Sequence, residues 1–149
     1  MATVEQGATA NEAARRRLLW MFCATIFVSA FLLFQVQPLI SKMILPWFGG
    51  SPAVWTSCML FFQLILVAGY GYAHLLINFV PPRSQSIVHV GLLVVALPLA
   101  YIVPSSSWKP EASENPTWQI LLLLGACVGL PYFLLSSTGP LFQAWYARV

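Results

Sequence analysis

Residues 18–40, LLWMFCATIFVSAFLLFQVQPLI, form a run of 23 residues without a charged side chain. An α-helix of about 20 predominantly apolar residues is long enough to cross the hydrocarbon core of a bilayer. The run therefore predicts a transmembrane helix. Its Val28-Ser29-Ala30 stretch also resembles the cleavage site of a secretory signal peptide, but the apolar run continues for ten residues past that site, which favours a retained membrane anchor.

Three more apolar segments follow and predict three further spans, at residues 53–79, 87–103 and 117–135. The fold class that follows is an all-α integral membrane protein, a bundle of four transmembrane helices in one membrane domain, residues 18–149. Residues 1–17 are polar and rich in alanine, and they predict a flexible or weakly helical tail ahead of that domain.

Proline residues predict where these helices bend or end. Pro98 predicts a kink in the third span. Pro131 lies inside the fourth, where neighbouring helices can satisfy the carbonyl group that it leaves without a donor. The Gly139-Pro140 pair predicts the end of helical structure after the fourth span.

The composition excludes most soluble and catalytic classes. Apolar residues make up 59% of the chain and charged residues 7%, against about 25% charged residues in soluble domains. The sequence has no aspartate, no paired carboxylates, no Ser-His-acid set and no H-E-x-x-H motif, so we expect no enzyme activity. A net charge of +3 is too small and too dispersed to indicate nucleic-acid binding. The three cysteines lie inside apolar runs and are expected to be free, buried thiols: Cys23, Cys58 and Cys127.

The distribution of basic residues predicts how the helices are oriented. An even number of spans places both termini on one side, and that side would carry five of the seven basic residues: Arg15, Arg16, Arg17, Arg83 and Arg148. Lys42 and Lys109 remain for the other side. Because cytoplasmic segments carry the excess of Lys and Arg, both termini are expected in the cytoplasm. All six tryptophans fall near predicted span ends, as expected of side chains at a membrane interface.

Two long stretches, with the proline-centred loop that follows the first, resemble a known family. They are residues 29–76, which contain QVQPLISKMILPWFGG, and residues 130–148, which contain LSSTGPLFQAW. Together they resemble the N-terminal multi-span membrane region of bacterial spermidine-synthase-like fusion proteins, in which a transporter-like membrane domain precedes a soluble aminopropyltransferase-like domain. The resemblance covers residues 28–148 and implies a multi-pass protein of the bacterial inner (cytoplasmic) membrane.

The soluble half of that family binds decarboxylated adenosylmethionine and a polyamine through a glycine-rich βα loop and several aspartates. This sequence has neither feature, because Gly69-Tyr70-Gly71 lies inside a predicted span, not after a strand, and aspartate is missing. We therefore expect no aminopropyltransferase activity and no tight binding of adenosylmethionine. The chain is expected to be either a truncated member or a membrane module that works alone.

Two pairs of small residues have the spacing that lets helix backbones approach each other closely. They are Gly125 with Gly129 in the fourth span and Gly69 with Ala73 in the second. Each pair predicts a helix-packing seam, either inside the bundle or toward a partner subunit. The alternative is chance, because small residues are common in membrane helices.

Three glutamines, Gln35, Gln37 and Gln63, are polar groups at predicted membrane depth. An unpaired amide in hydrocarbon costs several kcal/mol, so these side chains are expected to face the bundle or water. Hydrogen bonds between helices are the favoured interpretation, and a substrate path is the alternative.

His74 and His89 lie on consecutive predicted spans, both toward the cytoplasmic side. Two histidines at similar depth can ligate a haem, and a single one can ligate a chlorophyll-type pigment, which makes both residues weak candidates for cofactor binding. The favoured interpretation is a pair of interfacial histidines that bond backbone or lipid headgroups, since His89 lies close to the start of its span. We predict no cofactor and no metal site.

The leading functional hypothesis is a non-catalytic membrane subunit or module that packs with other membrane proteins in a larger complex. Its partners would be the lipid bilayer and further membrane subunits, not nucleic acid. Part of a transporter-like membrane domain is the first alternative, and a pigment- or haem-binding membrane subunit is the second. Ion-coupled transporters usually carry acids or bases in their spans, and His74 is the one plausible candidate here.

Overall fold

The computed structural model describes residues 2–99 and 116–148, with side chains over residues 11–98 and 117–148. The chain is helical along nearly all of this part, and no strand occurs within it, which confirms the all-α prediction for these residues. The helices are α1 (Ala2–Ile44), α2 (Pro52–Phe79), α3 (Pro82–Leu99), α4 (Pro116–Leu124) and α5 (Leu130–Tyr146). A 3₁₀ turn follows α1 at Leu45–Phe48, and a π-helical turn at Gly125–Gly129 joins α4 to α5 without interruption.

Three helical stretches in the described part are long and apolar enough to cross a membrane: Asn11–Phe48, Pro52–Phe79 and Thr117–Tyr146. They contain the first, second and fourth predicted spans. The predicted third span, residues 87–103, falls on α3 as far as Leu99, and its last four residues lie outside the described part. The helix itself begins five residues earlier than predicted, at Pro82.

The polar tail is not a separate segment. α1 begins at Ala2, so residues 2–17 continue the apolar helix, where we predicted a flexible or weakly helical tail. Alanine, glutamate, glutamine and arginine make up most of this stretch, and all four favour helix. Because extending an existing helix avoids the cost of nucleation, the apolar run can propagate helix into its polar neighbour.

Glycine and proline residues set the limits of α2. Gly49 and Gly50 have φ angles of 83° and 65°, a left-handed conformation that glycine adopts without steric cost, and they end the 3₁₀ turn. Pro52 then opens α2 at the first helical position, where its missing N–H group is not needed. At the other end Val80 is extended, as expected of a residue before a proline.

The predicted break at Gly139-Pro140 is wrong, because α5 runs through both residues to Tyr146. A proline inside a helix lacks one N–H donor and crowds the carbonyl group four residues earlier, here that of Ser136. Part of the usual conflict concerns the Cβ atom of the preceding residue, and Gly139 has none. The helix can therefore continue with one carbonyl group left without its helical donor.

The last helix lies at the centre of the molecule. α5 packs against α1, α2 and α3, whereas α4 packs mainly against α2. One core cluster gathers buried side chains from the 3₁₀ turn, α2 and α4, including Phe48, Phe62 and Leu123. A smaller cluster joins Ala73 and Leu76 of α2 to Leu141 of α5.

Contacts between side chains define the two ends of the molecule. Phe22 of α1 packs against Phe142 and Tyr146 of α5, with ring centroids 5.3 and 5.5 Å apart, and Gln85 of α3 bonds Trp145. We call this the arginine end, because the arginines at residues 15–17, 83 and 148 lie within seven residues along the chain of the side chains that make these contacts. At the opposite end the C-terminus of α1 and the starts of α2 and α4 share the larger cluster. α1, α2 and α3 therefore alternate in direction, and the continuous helix formed by α4 and α5 runs antiparallel to α3.

Candidate functional site

A buried polar cluster occupies the arginine end, and Gln85 is its centre. This residue lies in the first turn of α3 and is fully buried. Its amide nitrogen Nε2 donates to the carbonyl oxygens of Ile77 at 3.3 Å and Val80 at 2.7 Å. These carbonyl groups lie at the C-terminus of α2, where the helix itself provides no donors. The Gln85 side chain therefore caps the preceding helix.

The amide oxygen of Gln85 binds the end of α5. Its Oε1 atom accepts hydrogen bonds from Nε1 of Trp145 at 2.9 Å and from the guanidinium group of Arg148 at 3.1 Å. One side chain thus joins the C-terminus of α2, the N-terminus of α3 and the C-terminus of α5. The sequence offers one signal for this role, a polar residue three positions after the Pro81-Pro82 pair, and it was not among the predicted site residues.

His89 lies one turn farther along α3 and is 1% exposed. Its Nε2 atom is 3.3 Å from the hydroxyl oxygen of Thr138, and that hydroxyl group donates its proton to the Leu134 carbonyl oxygen at 2.7 Å. Because a hydroxyl group has only one proton to donate, Nε2 of His89 must be the protonated nitrogen in this pair. The other ring nitrogen, Nδ1, is buried without a hydrogen-bond partner.

The hydroxyl group of Tyr72 is a second buried polar atom without a hydrogen-bond partner. The Tyr72 ring stacks on His89 with centroids 6.1 Å apart, and Trp145 contacts the same imidazole edge-on at 6.3 Å. Two buried polar atoms of these stacked rings, the Tyr72 hydroxyl oxygen and Nδ1 of His89, have no hydrogen-bond partner among the described residues. None of the described side chains in contact with these two rings is acidic, so the arrangement does not form a catalytic set.

The two candidate histidines do not face a common site. His74 is exposed and bonds Asn78 on the same helix, with Nε2 at 3.0 Å from the amide nitrogen. It lies two residues, about 200° of helical turn, from the Tyr72 side chain that faces His89. One haem could not be held by both residues in this arrangement. Among residues 11–98 and 117–148, no three His, Cys, Asp or Glu side chains come together as a possible metal site.

A polar cleft of about 290 Å³ lies between α1, α2 and α5. Its polar lining consists of Ser29, Tyr70, Ser136 and Gln143, and Pro140 also borders it. The carbonyl group that Pro140 leaves without a helical donor belongs to Ser136. The sequence contains a signal for this cleft, since residues 136, 140 and 143 recur at helical spacing on one face.

The three candidate glutamines differ in their surroundings. Gln37 is half-buried, and its amide group donates a hydrogen bond to the hydroxyl group of Tyr132 on α5, which is the type of interhelical bond that we expected. Gln35 and Gln63 are exposed. Gln35 borders a groove of about 420 Å³ between α1 and α5, whose walls are otherwise almost entirely apolar.

The two pairs of small residues also differ in their burial and contacts. Gly69 and Ala73 are buried in α2, and a Cβ atom added to Gly69 would overlap the Ser136 hydroxyl group and lie 3.0 Å from the Phe133 carbonyl oxygen. This seam is internal and joins α2 to α5. Gly129 is buried as well, and a Cβ atom added there would lie in ordinary van der Waals contact, 3.8 Å from the Phe61 ring.

Gly125 does not share an internal seam with Gly129. It is exposed, and a Cβ atom added there would meet no atom of the described chain within 4 Å. α4 buries a single face against α2, and Gly125 lies two residues from both Leu123 and Cys127 on that face, so it points away. A contact between Gly125 and a partner stays a prediction.

The cysteines differ from expectation at one position. All three are free, and Cys58 and Cys127 are buried in the larger cluster, but Cys23 is exposed on α1.

Comparison with family models, curated proteins and solved structures finds no match to this chain. The resemblance to spermidine-synthase-like membrane regions therefore stays a prediction, and the candidate site must be interpreted from its own chemistry.

Proposed function

We propose that the chain is a non-catalytic module of the bacterial inner membrane that packs against further membrane proteins in a larger complex. In this proposal its helices form a four-span bundle with both termini in the cytoplasm. The observation that carries the proposal is an exposed amide, that of Gln63, on an otherwise apolar helix face.

The membrane part of the proposal rests on the outer faces of the helices. In the most apolar 18-residue window of α1, only 6% of residues are buried inside the molecule. Large apolar side chains are exposed along both α1 and α2, including Phe27, Phe31, Phe34, Leu60, Leu64 and Val67. Exposed apolar surface on this scale is unfavourable in water, and in a bilayer it contacts lipid tails or other membrane helices.

The partner part of the proposal rests on Gln63. This residue lies eleven positions, about 17 Å, after Pro52 and therefore near the middle of α2. Its exposed neighbours on the same face are Leu60, Leu64 and Val67. An amide group that faces hydrocarbon costs several kcal/mol, and hydrogen bonds between helices are how membrane proteins satisfy such groups. Gln37 finds its partner inside the chain, so we assign the partner of Gln63 to another protein.

Purification from native membranes in mild detergent tests this function. We expect the chain to resist alkaline extraction and to co-purify with a membrane protein in a fixed ratio. Gln63→Leu should release that protein while leaving the thermal unfolding of the isolated chain unchanged. The matched control, Gln37→Leu, removes the internal bond to Tyr132 and should lower the unfolding temperature instead. Release of the chain by alkali would contradict membrane insertion, and partner binding that survives Gln63→Leu would contradict the docking face.

The polar cleft favours a second candidate function, that of part of a transporter-like domain. The hydroxyl groups of Ser29, Tyr70 and Ser136 and the amide of Gln143 line a space between three apolar helices, and no charged side chain of the described residues lines it. Such a lining suits a small uncharged polar solute, or a cation held by neutral oxygens. Reconstituted vesicles that take up a polyol or an amide faster than empty vesicles would favour this candidate, and Gly139→Leu, which would fill the cleft, should then abolish the difference.

A further inference from the structure

We infer that the N-terminal half of α1 carries a binding site for an anionic phospholipid, with the phosphate held by Arg16 and Arg17 and an acyl chain in the adjoining groove between α1 and α5. The inference rests on the membrane location in the proposed function, and it goes beyond that function by naming a lipid ligand and its site.

The first observation is the charge of the arginine end. Arg15, Arg16 and Arg17 lie within 7 residues, about 11 Å along the helix, of Phe22, which packs on the C-terminal part of α5. Arg148 lies in the same region, and Arg83 precedes Gln85 by two residues. Five positive charges therefore gather at one end of the molecule.

The second observation is that these charges are not neutralised within the described chain. None of the five arginines pairs with a carboxylate among residues 11–98 and 117–148, and the one polar side chain that Arg148 contacts there, Gln85, is neutral. Uncompensated guanidinium groups at the end of an apolar helix attract the anionic headgroups of a cytoplasmic leaflet, each contributing about 1 kcal/mol near the surface.

The third observation is a hollow of about 370 Å³ lined by Glu12, Ala13, Arg16, Arg17 and Trp20. Arginine presents several N–H groups in a planar fork that matches the oxygens of a phosphate group. Trp20 is 67% exposed and lies one helical turn beyond Arg16, which places an amphipathic ring where headgroups meet acyl chains. The Glu12 carboxylate in the same hollow repels an anion, and the two arginines outnumber it.

The fourth observation is an apolar groove beside the hollow. Leu19, Phe22, Cys23 and Ile26 of α1 line a space of about 310 Å³ with Gln143 and Tyr146 of α5. Cys23 follows Arg16 by seven residues, which places both side chains on nearly the same face of α1. A phosphate site that continues into an apolar groove matches a phospholipid, whereas a free phosphate ion would leave the groove unused.

Native mass spectrometry of the full chain in a non-ionic detergent tests the site. Titration with phosphatidylglycerol and with phosphatidylcholine of the same chain length should give tighter binding of the anionic lipid. Replacing both arginines, in the Arg16→Gln/Arg17→Gln variant, should weaken phosphatidylglycerol binding about 30-fold, because two charges of about 1 kcal/mol each are lost. Glu12→Gln should strengthen binding about fivefold by the same reasoning. All three side chains are exposed, so these variants are expected to fold.

Matched controls separate the alternatives. Lys42→Gln removes one charge at the opposite end and should leave the affinity unchanged. Cys23→Trp, at an exposed position, fills the groove and should weaken binding of phosphatidylglycerol without changing any charge. An excess of sn-glycerol 3-phosphate should fail to displace the lipid, and displacement would overturn the lipid site in favour of a simple phosphate site.

Equal affinities for the two lipids, or full retention of phosphatidylglycerol by the double arginine variant, would overturn the inference. These outcomes differ from failure of the proposed function. A chain that inserts in membranes but does not distinguish the two lipids contradicts only the lipid site, whereas a chain that alkali releases from membranes contradicts the membrane proposal itself.

Discussion

Gly69 lies where α2 and α5 approach each other so closely that a side chain has no room. The space beside it is filled by Ser136 and by the Phe133 carbonyl group. The cause is geometric, because without a Cβ atom two backbones can come into direct contact and gain dispersion interactions along their length.

Gly69→Ala should therefore destabilise the fold. Overpacking of this kind costs about 1–3 kcal/mol, and we expect a clear drop in the thermal unfolding temperature in detergent. The control is Gly71→Ala in the same helix, where an added Cβ atom meets nothing within 4 Å and the expected change is within about 0.5 kcal/mol. Equal unfolding temperatures for the two variants would contradict the close approach of α2 and α5.

Gln85 is the second residue with a defined energetic role. Gln85→Leu keeps the volume of the side chain but leaves the Trp145 N–H group and the Val80 carbonyl oxygen without their partner. A buried polar group left unsatisfied costs about 1–3 kcal/mol. We expect a lower unfolding temperature and greater exposure of Trp145, measured by fluorescence quenching with iodide.

The control for Gln85 is Asn78→Leu. Asn78 is exposed, and its side chain bonds no described residue other than His74 on its own helix, so its loss should change stability by about 0.5 kcal/mol or less. If Gln85→Leu were no more destabilising than this control, the three helix ends would be held together by something other than the amide group.

Residue roles were predictable from the sequence only in part. The sequence identifies Gln37 and Gln63 as polar groups in apolar runs, but it cannot tell that Tyr132 lies opposite Gln37 and that Gln63 is exposed. His89 was expected near an interface because the third span was predicted to begin at Ile87. Since α3 begins at Pro82, His89 lies two turns inside the helix and is buried.

At the scale of elements, the most instructive one is the continuous helix that runs from Pro116 to Tyr146. It contains a π-helical turn at Gly125–Gly129 and, beyond Pro116 at its start, two prolines in its interior, at residues 131 and 140. Pro131 follows the π-helical turn by two residues, at a point where the helix is already irregular and one carbonyl group lacks its usual donor. Packing against neighbouring helices stabilises this helix despite its irregularities, since α5 packs against three other helices.

Pro140→Ala tests whether this proline shapes the cleft or ends the helix. Alanine restores the N–H group that the Ser136 carbonyl group lacks and has the highest helix propensity, so helix content by circular dichroism should be kept and the unfolding temperature should stay equal or rise. A loss of helix content or stability would show that Pro140 is required for the fold of α5. Pro131→Ala, beside the π-helical turn, is the matched comparison.

Element boundaries could be predicted where glycine or proline marks them. The second span was predicted at residues 53–79 and α2 is Pro52–Phe79, because Gly49-Gly50, Pro52 and the Pro81-Pro82 pair restrict the backbone there. The start of α1 and the end of α5 were missed. At both places the neighbouring apolar helix extends into a segment that is too short to form a stable helix in isolation.

At the scale of the whole molecule, α1, α2, α3 and the continuous α4–α5 helix alternate in direction, and the arginines gather at one end. Sequence reasoning placed the same five arginines on one side from an even number of spans. Contacts between the helices, of Phe22 with Phe142 and of Gln85 with Trp145, independently place these arginines at one end of the molecule. The sequence did not predict that the last helix lies at the centre, because long-range packing depends on side chains from all the other helices at once.

The central claim is that the helices cross a membrane with both ends of the chain in the cytoplasm. It is tested most directly by labelling single cysteines with a membrane-impermeant maleimide in intact cells. The parent variant has Cys23, Cys58 and Cys127 replaced by alanine, and one cysteine is then introduced by Ala2→Cys or by Ser106→Cys, in the segment between the predicted third and fourth spans.

We expect the cysteine at position 106 to react in intact cells, whereas the one at position 2 should react only after the membrane is permeabilised. The cysteine-free parent measures background labelling. Labelling of both positions from the same side of the membrane would contradict the four-span arrangement and, with it, the orientation that the arginine distribution predicts.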